Sequence, residues 1–338
     1  MSARNGRRPA ALAMSPETAA AVLGADARRR LLELVDVDPD LVLTDLGSGP
    51  ARAALADAEV LITGWGCPPI DAGVLRSAPR LRAVVHTAGT VKQHVTEACW
   101  ERGIQVASAA AANALPVAEY TVAAVLFANK RVLRARADYA RDRGADWQAG
   151  LADVGNYRRR IGIVGASRTG RRVIELLQRF DLEIWVSDPY LEPEEAGRLG
   201  VRPAPLPELF AACDTVSVHA PLLPGTVGLV SAELLAALPD GATLINTARG
   251  DLIDQPALER ELRSGRIDAV LDVTSPEPLP ADSPLYTLPN VLLTPHIAGS
   301  MGNELRRLAD FALDELERWT RDLPFLDPVR PSAWDRTA

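Results

Sequence analysis

In Ile161-Gly162-Ile163-Val164-Gly165-Ala166-Ser167-Arg168-Thr169-Gly170 a short apolar run ends in a turn of small residues, and the amphipathic segment Arg171–Phe180 follows. That pattern is a strand entering a tight turn and then a helix. Gly165 permits the sharp turn and Gly170 permits close packing of helix on strand, the outer positions of a dinucleotide fingerprint. Its middle position holds Ser167 instead of glycine. That residue must let the backbone approach a pyrophosphate at the helix N-terminus. Serine is small and has a hydroxyl to offer, so Gly165, Ser167, Arg168, Thr169 and Gly170 are the expected phosphate cradle. A second strand, Leu182–Asp188, ends in a carboxylate 188 − 165 = 23 positions on. Asp188 there suits the ribose 2′-hydroxyl of NAD and repels the 2′-phosphate of NADP. Taken alone, the turn also fits a flavodoxin-like or regulatory α/β domain.

Outward from this motif the chain alternates short apolar runs with longer amphipathic ones. Before it, Ala10–Met14, Leu41–Thr44, Glu59–Thr63, Arg82–His86 and Ile104–Ala107 read as strands, with helical patterns such as Ser15–Val35 and Val91–Glu101 between them. From Ile161–Val164 the alternation restarts with Glu183–Ser187, Thr215–His219, Thr243–Asn246, Ala269–Val273 and Val291–Thr294. Strands apolar almost throughout, separated by helices, indicate parallel sheets covered on both faces. A long helical stretch, Pro116–Arg141, divides the two series, and Pro116 with Glu119 reads as its start. A last amphipathic helix, Asn303–Asp322, precedes a loop-like tail from Pro324. The expected architecture is α/β: two Rossmann/flavodoxin-like domains with parallel sheets and an active-site cleft between them.

Composition narrows the class. The 338 residues suffice for two domains, and 47% hydrophobic with 24% charged residues is a globular balance. A net charge of −7 with no basic block speaks against nucleic acid as a partner. Arg28–Arg30 and Arg158–Arg160 are too short for a phosphate-binding stripe. Cys67, Cys99 and Cys213 have neither pairing nor metal-ligand spacing, which suggests a reducing compartment. The first residues show no charged segment followed by a long apolar one. No apolar run reads as approaching the roughly 20 residues that cross a bilayer, so no membrane partner and a cytoplasmic location are expected.

Three polar residues stand just past three strands. Arg249 follows Thr243–Asn246 in Asn246-Thr247-Ala248-Arg249-Gly250. Glu277 follows Ala269–Val273 in Asp272-Val273-Thr274-Ser275-Pro276-Glu277-Pro278. His296 follows Val291–Thr294 in Thr294-Pro295-His296-Ile297-Ala298-Gly299. The carboxyl ends of parallel strands are where α/β sheets bind ligands, so an arginine, a carboxylate and a histidine converge beside the cofactor. Singly, each also reads as an ordinary surface or loop residue. His219, after Thr215–Val218 and near Thr226, competes as the histidine but has no partner carboxylate at comparable spacing. It is expected to line the cofactor side with Thr226, Thr247 and Asp272.

These segments, together with Asn113…Val117-Ala118-Glu119-Tyr120, resemble the D-isomer-specific 2-hydroxyacid dehydrogenases over nearly the whole chain. The resemblance implies hydride transfer between NADH and a small 2-oxo acid or its D-2-hydroxy acid. The arginine matching Arg249 binds substrate carboxylate and carbonyl, the histidine matching His296 is general acid/base, and the glutamate matching Glu277 hydrogen-bonds it and favours its charged form. The loop matching His86–Thr90 offers backbone donors to the carboxylate, with His86, Ala88 and Gly89 on the substrate side. The resemblance also implies a discontinuous substrate domain (1–114 with 303–338), an NAD-binding domain (115–302) and a homodimer. No metal is needed, because His296 and Arg249 cover the developing charge. Ser167, and Thr274 where the family often has an aromatic residue, are departures that leave the catalytic three intact. Rival readings are an NAD-sensing, corepressor-like binding protein on this fold and a dehydrogenase of an unusual substrate such as phosphite. A formate dehydrogenase fits less well, because that group replaces the acidic partner of histidine with glutamine. The absence of a further domain after the last helix is expected to count against a feedback-controlled phosphoglycerate dehydrogenase.

Overall fold

The computed structural model describes residues 6–143, 151 and 153–336. Residues 1–5, where the reading of no leader begins, and 337–338 of the tail lie outside it. The chain divides into two compact units, 1–113 with 300–338, and 114–299.

The first unit runs β1 (Arg8–Ala13), α1 (Pro16–Val22), α2 (Ala25–Leu34), β2 (Val35–Asp36), β3 (Val42–Leu43), α3 (Gly49–Leu55), β4 (Val60–Thr63), α4 (Ala72–Ser77), β5 (Ala83–His86), α5 (Glu97–Glu101) and β6 (Gln105–Ser108). All pairs between these strands are parallel, in the order β2-β1-β4-β5-β6 with β3 also on β1. That is the flavodoxin-like order. Alternation along the strands sends Leu61, Val84 and Val106 to one face of the sheet and Val60, Ile62, Ala83, Val85 and Ala107 to the other.

The second unit takes most of α6 (Ala110–Asn129), then α7 (Val132–Asp142), β7 (Arg160–Val164), α8 (Arg168–Leu177), β8 (Glu183–Ser187), α9 (Pro193–Leu199), β9 (Arg202–Pro203), α10 (Leu206–Ala212), β10 (Thr215–Val218), α11 (Ala232–Ala237), β11 (Thr243–Asn246), α12 (Gln255–Ser264), β12 (Asp268–Leu271) and β13 (Val291–Leu293). Its seven strands are parallel in the order β13-β12-β11-β10-β7-β8-β9, so the direction of winding reverses between β7 and β10. Such a switch point opens a crevice at the strands' carboxyl ends. β10, β11 and β12 are buried along their whole length, as strands covered on both faces must be. α13 (Leu305–Thr320) returns to the first unit, where Leu313, Leu316 and Trp319 cover one face of its sheet.

Several boundaries differ from the sequence pattern. The helix read over Ser15–Val35 is two, because Gly24 interrupts it as the N-cap of α2. Only Glu97–Glu101 of Val91–Glu101 is helical. Pro116 does not open a helix: α6 begins at Ala110 and carries the proline inside. The alanine-rich start supplies helix propensity that outweighs the one backbone bond proline removes. α6 stops at Asn129, and Arg131, in the left-handed conformation, caps the start of α7. The two-residue strands β2 and β9 are too short to show alternation in sequence. The tail also docks: the Val329 amide donates to the Val106 carbonyl, and Trp334 meets Trp100 edge-on at 5.5 Å.

α6 overturns one expectation, since by length and composition alone it is an apolar run long enough to cross a bilayer. One side of it packs as a core helix does. Ala118 and Val125 pack into the core of the second unit, and the hydroxyl of Thr121 and the amide of Asn129 are hydrogen-bonded to protein.

Candidate active site

Six strand ends of the second sheet supply the polar groups. After β7, Gly165 has φ +97, and a Cβ there would lie 2.6 Å from the Ala220 nitrogen. A Cβ on Gly170 would lie 2.1 Å from the Gly165 carbonyl oxygen. Both positions therefore need glycine, one for conformation and contact, the other for contact. Ser167 does not need to be glycine: its φ and ψ of −65° and 179° are extended, and its Oγ accepts from the Gly170 amide at 3.2 Å. It is the N-cap of α8, a place serine favours over glycine. Arg168 is exposed and Thr169 half-buried in the first turn. At the end of β8, Asp188 accepts from the amides of Ala166 and Tyr190, each at 2.7 Å, and so ties the second strand to the turn.

His219, after β10, is buried, with Nε2 2.9 Å from Ser217 Oγ and Nδ1 lacking a protein partner. Burial pulls its pKa down to about 3, so it is a neutral side chain and not a proton donor at neutral pH. Thr226 folds its hydroxyl back on its own turn, accepting from the Leu223 amide and donating to the Pro221 carbonyl.

After β11, Asn246 shapes the arginine loop. Its Oδ1 accepts from the Ala248 amide and its Nδ2 donates to the Arg249 carbonyl. Arg249 is half-buried and donates to the Ala248 carbonyl at 2.6 Å. Burial lowers its pKa, against the opposing charge of Glu277. Gly250 faces the next loop so closely that a Cβ would lie 2.0 Å from the Thr274 carbonyl carbon. This close approach fits the loop after β12 against the arginine loop. Thr274, the departure from an aromatic, bonds its hydroxyl to the Pro276 carbonyl.

Glu277 and His296 meet, with Oε1 2.7 Å from Nδ1. A carboxylate only accepts, so Nδ1 carries the hydrogen and Nε2 is left for proton exchange. Both side chains are more than 40% exposed, so the pair is reachable. His296 has φ +56, unusual for a non-glycine residue. The buried Asp272 holds this backbone: its Oδ1 accepts from Thr294 Oγ1 at 2.7 Å and the Ile297 amide at 2.8 Å, and its Oδ2 from the Ala298 amide at 2.8 Å. Both Asp272 oxygens are thus engaged by protein donors.

The second unit therefore brings Glu277 and His296 into contact, with Arg249 inside the field of Glu277. The sequence model of the D-isomer specific 2-hydroxyacid dehydrogenase NAD binding domain matches residues 122–298. The chain belongs to this family. A D-3-phosphoglycerate dehydrogenase of Mycobacterium leprae (strain TN) is 33% identical over 258 residues, 75% of this chain and 48% of that protein. The chain thus spans about half the length of the phosphoglycerate dehydrogenases it matches. A glyoxylate reductase of Korarchaeum cryptofilum (strain OPF8) is 33% identical over 259 residues, 75% of this chain and 77% of that one. Among solved structures, the TT0316 protein of Thermus thermophilus is 31% identical with a TM-score of 0.74, covering 95% of this chain and all of that one. A phosphoglycerate oxidoreductase from Rhizobium etli is 25% identical with a TM-score of 0.81, covering 96% and 99%.

NAD is the cofactor of this dehydrogenase domain, and the residues present fit it. The Gly165 turn admits no side chain, α8 offers a capped N-terminus, and the Asp188 carboxylate lies at the end of the second strand. The substrate-side residues expected from sequence belong to the first unit. There Ala88 and His86 are buried, and a Cβ on Gly89 would touch only Asn113 Nδ2, at 3.7 Å. His86 Nδ1 and His94 Nε2 both reach Thr63 Oγ1, at 2.9 and 3.3 Å, with the two rings 4.5 Å apart. Thr63 and His94 are not legible in sequence as partners of His86, because 23 and 31 positions separate the bonded residues. Among the described residues no His, Cys, Asp or Glu cluster has the arrangement of a metal site.

Proposed function

We propose that the protein interconverts a small 2-oxo acid and its D-2-hydroxy acid with NAD(H). The 2.7 Å contact between Glu277 and His296 at the strand ends carries this reading. Bound NADH supplies the hydride. In reduction His296 gives a proton from Nε2 to the forming alkoxide, and in oxidation the same nitrogen takes it back. Glu277 fixes the tautomer and keeps the ring aimed. Arg249 binds the carboxylate and polarises the carbonyl, and its partial burial strengthens both attractions by lowering the local dielectric. Gly165, Ser167, Arg168, Thr169 and Gly170 hold the phosphates, Asp188 the ribose, and His219, Thr226, Thr247 and Asp272 shape the cofactor side. His86, Ala88 and Gly89 serve the substrate carboxylate. Among the described residues nothing demands glycine at 89, which agrees with a ligand approaching there.

The first unit is the substrate domain and the second the NAD-binding domain. The protein works as a homodimer in the cytoplasm, without nucleic acid or membrane. The apolar, roughly 240 Å³ groove beside exposed Phe127 and Leu292 supports self-association through the second unit. The test is turnover of a 2-oxo acid panel (glyoxylate, hydroxypyruvate, pyruvate) with NADH and NADPH. NADH should be preferred, and His296→Ala should remove at least about a hundredfold in rate, the lower range for general acid–base catalysis. No turnover of any panel member, or an unaffected His296→Ala, would overturn the reading.

A further inference from the structure

Two adjacent hydroxyls on α6 end at two of the three catalytic loops. Tyr120 Oη lies 2.8 Å from Thr294 Oγ1, and Thr121 Oγ1 lies 3.2 Å from Thr247 Oγ1. The direction of each bond follows from counting hydrogens. Thr294 donates its single hydroxyl hydrogen to Asp272 Oδ1, so Tyr120 must donate to Thr294. Thr121 donates its own to the Val117 carbonyl, so Thr247 must donate to Thr121. The first chain runs Tyr120 to Thr294 to Asp272, and Asp272 in turn grips the amides of Ile297 and Ala298. Residues on both sides of His296 are thereby fastened to one carboxylate, while the His296 amide donates to the Asp272 and Thr294 carbonyls. This is what holds a non-glycine residue at φ +56. Burial, helped by the Asp272 charge, pushes the Tyr120 phenol above its ordinary pKa, so it keeps the hydrogen it must donate. The second chain fixes Thr247, two residues before Arg249 in the loop that Asn246 shapes.

We propose that α6 positions two of the three catalytic loops through these neighbouring hydroxyls, Tyr120 setting the His296 loop through Thr294 and Asp272, and Thr121 setting the Arg249 loop through Thr247. The proposal rests on the dehydrogenase reading above. Tyr120, Thr121 and Thr294 are positioning residues that act through His296 and Arg249.

The test uses the full chain and the variants Thr294→Val, Thr294→Ser, Tyr120→Phe and Thr121→Val. One hydrogen bond's worth of positioning corresponds to about two- to tenfold in rate or affinity. Thr294→Val and Tyr120→Phe should lower kcat by that factor with KM for the 2-oxo acid nearly unchanged. Thr294→Ser should restore the wild-type value, and Thr121→Val should act mainly on KM. A second readout needs no turnover. The chain has four histidines, of which His86, His94 and His219 are buried. Imidazole NMR, with His296 assigned by its loss in His296→Ala, should show His296 signals displaced in Thr294→Val and Tyr120→Phe, unmoved in Thr294→Ser, and the other three unchanged. If Thr294→Val fails to fold, Tyr120→Phe decides by the same two readouts. Variants that lose melting temperature but keep wild-type kcat and His296 signals would show a merely structural role and overturn the proposal. Should wild type reduce no 2-oxo acid, the dehydrogenase reading fails, and the NMR readout alone decides whether the brace exists.

Discussion

Lowering the pH from 7 to 5 should unfold this protein more easily by an amount that its buried histidines set. His94 is pulled down to about 4 and His219 to about 3, both by burial, and His86 falls well below its ordinary value from burial and the neighbouring His94. An unfolded histidine titrates near 6.5. Below that pH the unfolded chain binds protons that the folded chain refuses, so stability falls as pH falls. The loss continues for each histidine until its folded value is reached. From 6.5 to pH 5, at about 1.4 kcal/mol per unit, His94 and His219 each cost about 2 kcal/mol, a large part of the ordinary 5–15 kcal/mol of a folded protein. His86, lowered in the same direction, adds to the loss in the first unit. The slope is therefore steeper in the first unit than in the second. Urea unfolding at pH 7, 6 and 5, followed by tryptophan fluorescence, measures it. His94→Gln keeps a polar partner for Thr63 but cannot titrate, and should recover about 2 kcal/mol of the loss. A first-unit transition that shifts by less than about 1 kcal/mol, or a His94→Gln slope equal to wild type, would refute the neutral buried pair.

Two further outcomes concern the site. Glu277→Gln keeps an acceptor for Nδ1, whereas Glu277→Ala takes away the partner that Nδ1 has at 2.7 Å, so the alanine variant should lose at least about tenfold more kcat/KM than the glutamine one. Steady-state kinetics of the two variants checks it, and equal losses would show that the acceptor does not aim the ring. Gly250→Ala puts a methyl group into the Thr274 backbone, so the Glu277 loop must shift. Destabilisation of about 1–3 kcal/mol, as for overpacking, should accompany at least a tenfold loss in kcat/KM, measured by melting and steady-state kinetics.

What is legible from sequence is whatever a short stretch of chain fixes by itself. The Gly165 turn, the helix after it and the carboxylate at Asp188 are local geometry, and the strand ends at Arg249, Glu277 and His296 follow from alternating apolar runs. Ser167 looks like a departure only because the glycine pattern records what the phosphate needs. As the N-cap of α8 it answers a different local demand, that of the first orphan amides of a helix. The start of α6 is misread for a similar reason. A proline rule that holds for isolated helices gives way to an alanine-rich turn before it, in a helix whose far side is packed into a core. The braces are beyond reach. Tyr120 and Thr294 are 174 positions apart, and Thr121 and Thr247 are 126 apart. Hydroxyl pairs leave no periodicity, so only the folded sheet brings them together. The residues that react are thus written in motifs, whereas those that aim them depend on which strand end faces which turn of α6, and substitutions there should alter rates without touching any recognisable motif.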